Sequence, residues 1–177
     1  MPITSEAFRD ALRHFPAGVT VVTIRSGEEI HGLTVSAFAS ISPDPPLIMV
    51  SIDHRHSAYE ILEQEDAVFA VNILHQSQME LSNRFAWLKD EDRFDAGEWT
   101  MAKTGAPILA DALAWLDCTI AGRYVAGGHT LYIGEVQASA APRAEQPPLV
   151  YWNRGYRHLL LREEKQTSKQ SPQEEDT

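Results

Sequence analysis

Small hydroxyl residues recur along one extended stretch, Gly32-Leu33-Thr34-Val35-Ser36-Ala37-Phe38-Ala39-Ser40-Ile41-Ser42. On a strand, such small side chains leave room for a flat ring to lie near the backbone. Their hydroxyls, with free backbone groups, can hydrogen-bond a polar ring edge. Alone, the same residues also describe a Ser-rich, half-solvated edge strand, which is the commoner case. A second group, Asp53-His54-Arg55-His56-Ser57, falls where a strand ends and a helix begins. Free N–H groups and the positive dipole end of a helix suit a phosphate there. Arg55 would add a charge-assisted contact and Ser57 a hydroxyl. Ser57 as a plain cap beside a solvated Arg55 fits the spacing equally well. A ring on the strand and a phosphate at the helix start together describe a nucleotide-like cofactor. A third residue, His129, follows Gly127-Gly128 and has the chemistry to donate a proton or position a substrate. Loop histidines without a function are also common.

Other chemistries find no support. Histidines 31, 54, 56 and 75 form no His-Glu-x-x-His, and one cysteine cannot pair, so no metal site is expected. No Gly-x-Gly-x-x-Gly follows a strand, and Gly-x-Ser-x-Gly is missing, which argues against a Rossmann site and the common serine-hydrolase arrangement.

The elements that must position these groups are mostly strands. Ser5 to Phe15 carries Phe8, Ala11, Leu12 and Phe15 at helical spacing, with Ser5 near the N-cap. Val19 to Ile24 is β-branched and predicts a strand. The chain turns at Ser26-Gly27-Glu28-Glu29 into the hydroxyl-rich strand, read as continuous to Ser42. Pro43-Asp44-Pro45-Pro46 then reverses it into Leu47–Ile52, apolar enough to be covered on both faces. Ser57-Ala58-Tyr59-Glu60 and Ser77-Gln78-Met79-Glu80 have the capping-box pattern and start two short helices. Ala67–Leu74 is a further buried strand, 97–107 reads as irregular, and 113–124, 130–138 and 149–152 complete the strands. Six or seven antiparallel strands, Greek-key-like, with about three peripheral helices predict a mainly β, closed or split barrel.

At 177 residues the chain holds one well-cored domain, expected over 1–162, and a polar tail over 163–177 that lacks apolar anchors and is expected to be disordered. The net charge of −10 disfavours nucleic acid. No apolar run reaches the ~20 residues of a membrane helix. A lone Cys118, flanked by Trp115-Leu116-Asp117 and Thr119-Ile120, reads as a buried small hydrophobe in a reducing, cytoplasmic setting.

From Phe8 to Leu159 the chain resembles the flavin reductase family, the small reductase components of two-component flavin-dependent monooxygenases. The marks are Phe15-Pro16-Ala17-Gly18-Val19-Thr20-Val21-Val22-Thr23, the strand from Gly32, Ser40-Ile41-Ser42-Pro43-Asp44-Pro45-Pro46-Leu47, Phe69-Ala70-Val71-Asn72-Ile73-Leu74, Leu81-Ser82-Asn83-Arg84-Phe85-Ala86, Gly128-His129, Ile133-Gly134-Glu135-Val136 and Pro148-Leu149-Val150-Tyr151-Trp152. The resemblance implies a split β-barrel homodimer that binds FMN or FAD. It also implies hydride transfer from NADH or NADPH to the flavin, with reduced flavin passing to a partner monooxygenase. It places the ring system on Thr34, Val35, Ser36 and Ala37, and the ribityl and phosphate on Ser51, Asp53, Arg55 and Ser57. His129 would stand beside the nicotinamide, and Ser82, Arg84 and Phe85 would border the flavin. Many relatives carry Asp before the loop histidine. This chain has Gly128, which leaves the orienting partner of His129 unassigned. The alternative is a non-catalytic flavin carrier or redox sensor on the same barrel.

Overall fold

The β-branched run after Gly18 forms the central strands of a sheet, and that sheet organises the molecule. A computed structural model describes residues 2–88 and 90–159; the polar tail expected over 163–177 lies outside them. In chain order the elements are α1 (Ser5–Leu12), β1 (Ala17–Gly18), β2 (Thr20–Ser26), β3 (Glu29–Val35), β4 (Phe38–Pro43), β5 (Pro46–Asp53), α2 (Ser57–Leu62), β6 (Val68–Ile73), α3 (Met79–Trp87), β7 (Trp99–Met101), β8 (Pro107–Leu109), β9 (Ala114–Ala126), β10 (His129–Ala140), β11 (Val150–Trp152) and β12 (Gly155–Arg157).

Seven strands make one sheet in the order β3-β2-β6-β9-β10-β5-β4, with antiparallel neighbours throughout. Its two outermost strands, β3 and β4, are separated in sequence by Ser36 and Ala37 alone. Laid flat, six gaps of ~4.8 Å would hold those strands about 29 Å apart. The two-residue link spans only about 10 Å, so the sheet must curl until its edges meet. Ser36–Ala37 is therefore the seam of a split barrel. A bond from Ser51 N–H to the Ala37 carbonyl, 3.0 Å, pins one side of it.

Alternation along the strands fills the barrel. Leu33 and Val35 of β3 point inward, as do Ile48, Val50 and Ile52 of β5, and meet Val22, Ile24, Phe69, Val71, Cys118 and Tyr132. Each fully buried aliphatic or aromatic side chain here contributes roughly 1.5–3 kcal/mol of transfer free energy. A second cluster, Val19, Val21, Leu74, Phe85, Leu109 and Leu149, packs α3 against the outside of the sheet.

Several local expectations change. The stretch from Gly32 to Ser42 is two strands, since the seam breaks it at Ser36. Burial of β5 alternates instead of being complete on both faces; β2 and β6 are buried nearly throughout. Within 97–107, Trp99–Met101 pairs with β8. The first helix is capped by Thr4, whose hydroxyl accepts from Ala7 N–H at 3.2 Å, and ends at Leu12. His56, not Ser57, is the N-cap of α2. Before α3, the Gln78 side chain accepts the His75 N–H at 3.1 Å, so that cap begins two residues earlier than the Ser77 pattern suggested.

Candidate cofactor site at the barrel seam

At the seam, residues of opposite parity separate. Leu33 and Val35 enter the core, while Thr34 and Ser36 face outward. On β5, Ile52 goes inward and Ser51 and Asp53 outward. The outward groups converge on a cavity of ≈ 230 Å³, lined by Thr34 to Ala37, Ser51, Asp53, His56 and His129. Its position follows from the sheet order: β3 ends the hydrogen-bonded series on one side, so its outer backbone edge has no strand partner. Peptide groups and hydroxyls there can meet the polar edge of a heteroaromatic ring.

The hydroxyls divide into two kinds. Thr34 Oγ1 donates to the Ser82 carbonyl at 2.6 Å, tying β3 to α3. Among the described residues, the hydroxyls of Ser36 and Ser51 have no protein partner and remain available to a ligand. These free donors and the open strand edge fit a flavin, and Ser36, Ala37 and Ser51 are the groups that would hold it. Val35 contributes through its backbone, because its side chain is in the barrel.

Asp53 and His129 face each other in register across β5 and β10, with carboxylate Oδ2 3.9 Å from Nε2. The Arg55 side chain grips Asp53 through Nε at 3.0 and 3.1 Å and Nη2 at 2.5 Å, and the Arg55 backbone N–H adds a 3.0 Å bond. Those bonds, side chain first, hold the Asp53 carboxyl well below the usual carboxylate range, and His129 adds a smaller attraction. The loop before His129 is fixed by His54 N–H to the Gly128 carbonyl, 3.0 Å, and by His54 Nε2 against the Thr130 hydroxyl, 2.9 Å.

Four nominated residues stand apart from this cavity. Arg55 is spent on Asp53, leaving little charge for a phosphate. Ser57 turns its hydroxyl to His31 Nε2, 3.3 Å away. Arg84 holds the carbonyls of Asp92 and Arg93. Phe85 is buried under Phe94 and Trp99 and fits only because position 32 is glycine: a Cβ there would lie 2.5 Å from Phe85 Cε1. At the start of α2, where an anion site was expected, Arg55 is thus paired with Asp53 and Ser57 is turned toward His31. Ser82 lies next door. Its hydroxyl meets Tyr156 Oη at 2.8 Å, and it lines a larger cavity of ≈ 370 Å³ with Thr34, Ser36, Asn83, Tyr151 and Tyr156. His56, Asn83, Tyr151 and Arg154 are site-lining residues that pattern reading did not nominate. His56 was within reach, since it sits beside Asp53. The others come from a hairpin and helix whose apposition no local pattern encodes.

A curled antiparallel barrel whose seam offers backbone, hydroxyls and two histidines, and among the described residues no activated nucleophile, defines a class: a split barrel that holds a flat cofactor and leaves the chemistry to it. The chain belongs to the flavin reductase like domain family, whose pattern matches residues 12–160. It is 37% identical over 156 residues to the reductase component of 4-hydroxyphenylacetate 3-monooxygenase from Thermus thermophilus, covering 88% of this chain and 97% of that one. It is 38% identical over 170 residues to a flavin reductase (NADH) of Kitasatospora aureofaciens, covering 94% and 87%. The NADH:FAD oxidoreductase of Streptomyces globisporus superposes with a TM-score of 0.83 at 30% identity, covering 91% of this chain and 96% of that one.

Proposed function

We propose that this chain is an NAD(P)H:flavin oxidoreductase that supplies reduced flavin to a partner monooxygenase. The observation that carries the reading is the meeting of the Ser36–Ala37 seam with His129 at one cavity. When bound, flavin supplies the hydride acceptor and the reduced nicotinamide the donor. The protein's part is positional. The β3 edge and the Ser36 and Ser51 hydroxyls would hold the ring, and N–H groups along that edge would favour negative charge on it. His129, steadied by Asp53 across the ladder, borders the open side where a second ring would stack, so that binding fixes the reacting geometry. The partial exposure of His129, 49% of its side chain, suits a group met by a substrate that comes and goes.

The name of the Thermus relative as a reductase component supports an oxygenase as recipient. Exposed Ile3, Phe8, Leu12 and Phe15, before, along and after α1, are apolar side chains that this chain leaves uncovered, as a homodimer would require. No helix of the described residues is long and apolar enough to cross a membrane. Steady-state oxidation of NADH and NADPH with added FMN or FAD tests the activity. A rate that rises with flavin is expected, and no flavin-dependent oxidation with any of the four pairs would refute it.

A further inference from the structure

A cavity of ≈ 290 Å³ beside the seam is walled by Arg9, Arg13 and Arg154, together with Tyr151, Trp152 and Ser36. Three arginines around one cavity stand out in a chain of net charge −10. Two hydrogen bonds bring them together from opposite ends of the chain. Asn153 N–H donates to the Arg13 carbonyl at 2.9 Å, and Trp152 Nε1–H to the His14 carbonyl at 3.0 Å. Arg13 shares its charge with Asp10 at 2.9 Å, yet its Nε is buried without a hydrogen-bond partner. Among the described residues, neither Arg9 nor Arg154 has an acidic partner.

The backbone at Arg154 is a second, independent sign. Trp152 pairs with Gly155, so Asn153 and Arg154 are the centre of a two-residue hairpin turn, with φ of +49° and +63°. Such turns demand the left-handed region at both positions, and the second ordinarily belongs to glycine. Here glycine is one place later and arginine takes the strained position. A strained side chain kept beside a cavity points to a use for that side chain.

We propose that the arginine cavity binds the phosphate or diphosphate of the nucleotide that reacts at the seam. The proposal rests on the reductase reading for the identity of that nucleotide. Ser36 borders this cavity and the seam cavity alike, and Tyr151 and Arg154 also border the larger cavity next to α3. A ring at the seam and an anion at the arginines are therefore joined through Ser36. Guanidinium groups suit phosphate oxygens through paired, charge-assisted hydrogen bonds. The site also takes over the role that Arg55, held by Asp53, is not free to play.

The test uses Arg154→Gly, which removes the donor while relieving the turn, and Arg9→Gln as a second variant. Calorimetry with inorganic pyrophosphate should detect binding to the parent and a loss of about tenfold in each variant, with no fall in melting temperature for Arg154→Gly. Two arms separate the sources. A weaker affinity for FMN with riboflavin unchanged assigns the cavity to the flavin phosphate. A raised KM for NADH with FMN affinity unchanged assigns it to the nicotinamide dinucleotide. Either supports the proposal. No pyrophosphate binding to the parent, or variants within about twofold of the parent for pyrophosphate, FMN and NADH alike, overturns it. Arginine-dependent pyrophosphate binding without flavin-dependent NADH oxidation would instead refute the reductase reading and leave the anion site standing.

Discussion

Asp53 Oδ2 lies 3.9 Å from His129 Nε2, and the two residues are register partners across β5 and β10. The carboxylate nearest the loop histidine thus comes from the neighbouring strand, and the position before the histidine is Gly128. We expect His129→Ala to lower kcat/KM for the nicotinamide substrate by about tenfold, about 1.4 kcal/mol of transition-state stabilisation. The dissociation constant for flavin should move by less than about twofold, because the groups that would hold the ring are the β3 edge, the Ser36–Ala37 seam and Ser51. Equal losses in both measurements would remove the assigned role.

The same carboxylate gives a pH dependence of known sign. Arg55 holds Asp53 below its ordinary range, so its contribution is present above the unfolded value, ~3.9, and is lost as pH falls further. Arg55→Gln should be less stable than the parent near neutrality, and the gap should narrow in acid as the carboxyl protonates. The Arg55 side chain is 89% exposed, so the gap is small and salt should shrink it. Urea midpoints at about pH 7 and about pH 3 check this; a gap that ignores pH would contradict it.

Much of this was legible in residue types, and the limits are physical. The β-branched run at Val19–Ile24 and the apolar Ala67–Leu74 segment became β2 and β6 because intrinsic preference and burial agree there. The hydroxyl strand was recognisable, but its break at Ser36 was not: continuity is a local property, whereas the seam arises from closure of the whole sheet. Motif resemblance put Phe85 at the flavin, but the glycine at position 32 draws its ring into the core. Arg55 reads in the sequence as a phosphate contact or a solvated charge; in the fold its side chain is bound to Asp53, two residues away, a pairing that side-chain geometry decides and residue type does not. Arg154 escaped notice because Arg9 and Arg13 lie some 140 residues before it in sequence.

Burial in the barrel pushes the Cys118 thiol up to about 12, with the nearby Asp117 adding to the effect. An alkylating reagent needs the thiolate, so native protein at about pH 8 should remain unmodified for hours, and urea-unfolded protein should react at the rate of a free thiol. The linkage runs in the alkaline direction. Above ~8.5 the unfolded chain loses this proton first, so the folded state becomes less favoured as pH rises toward the folded value. Rapid modification of native protein, counted by mass spectrometry, would show that the interior opens far more readily than its packing implies.

Thr34 and Ser36 are two residues apart on one outward face, yet their hydroxyls have different duties. Thr34 is tied to the Ser82 carbonyl, whereas Ser36 faces the cavities with no protein partner. Replacing each by valine should separate stability from binding. Thr34→Val strips a structural hydrogen bond and should cost about 1 kcal/mol, read as a lower urea midpoint, with only a minor change in flavin affinity. Ser36→Val breaks no bond within the protein, so stability should stay within about 0.5 kcal/mol. Its added bulk occupies the space left for the ring, and flavin should bind about tenfold more weakly, about 1.4 kcal/mol. Fluorescence titration and denaturant melts on the same two preparations give all four numbers. If Ser36→Val lost stability and kept flavin, the open face of the seam would be a surface feature, and the cofactor would have to lie on another part of the barrel.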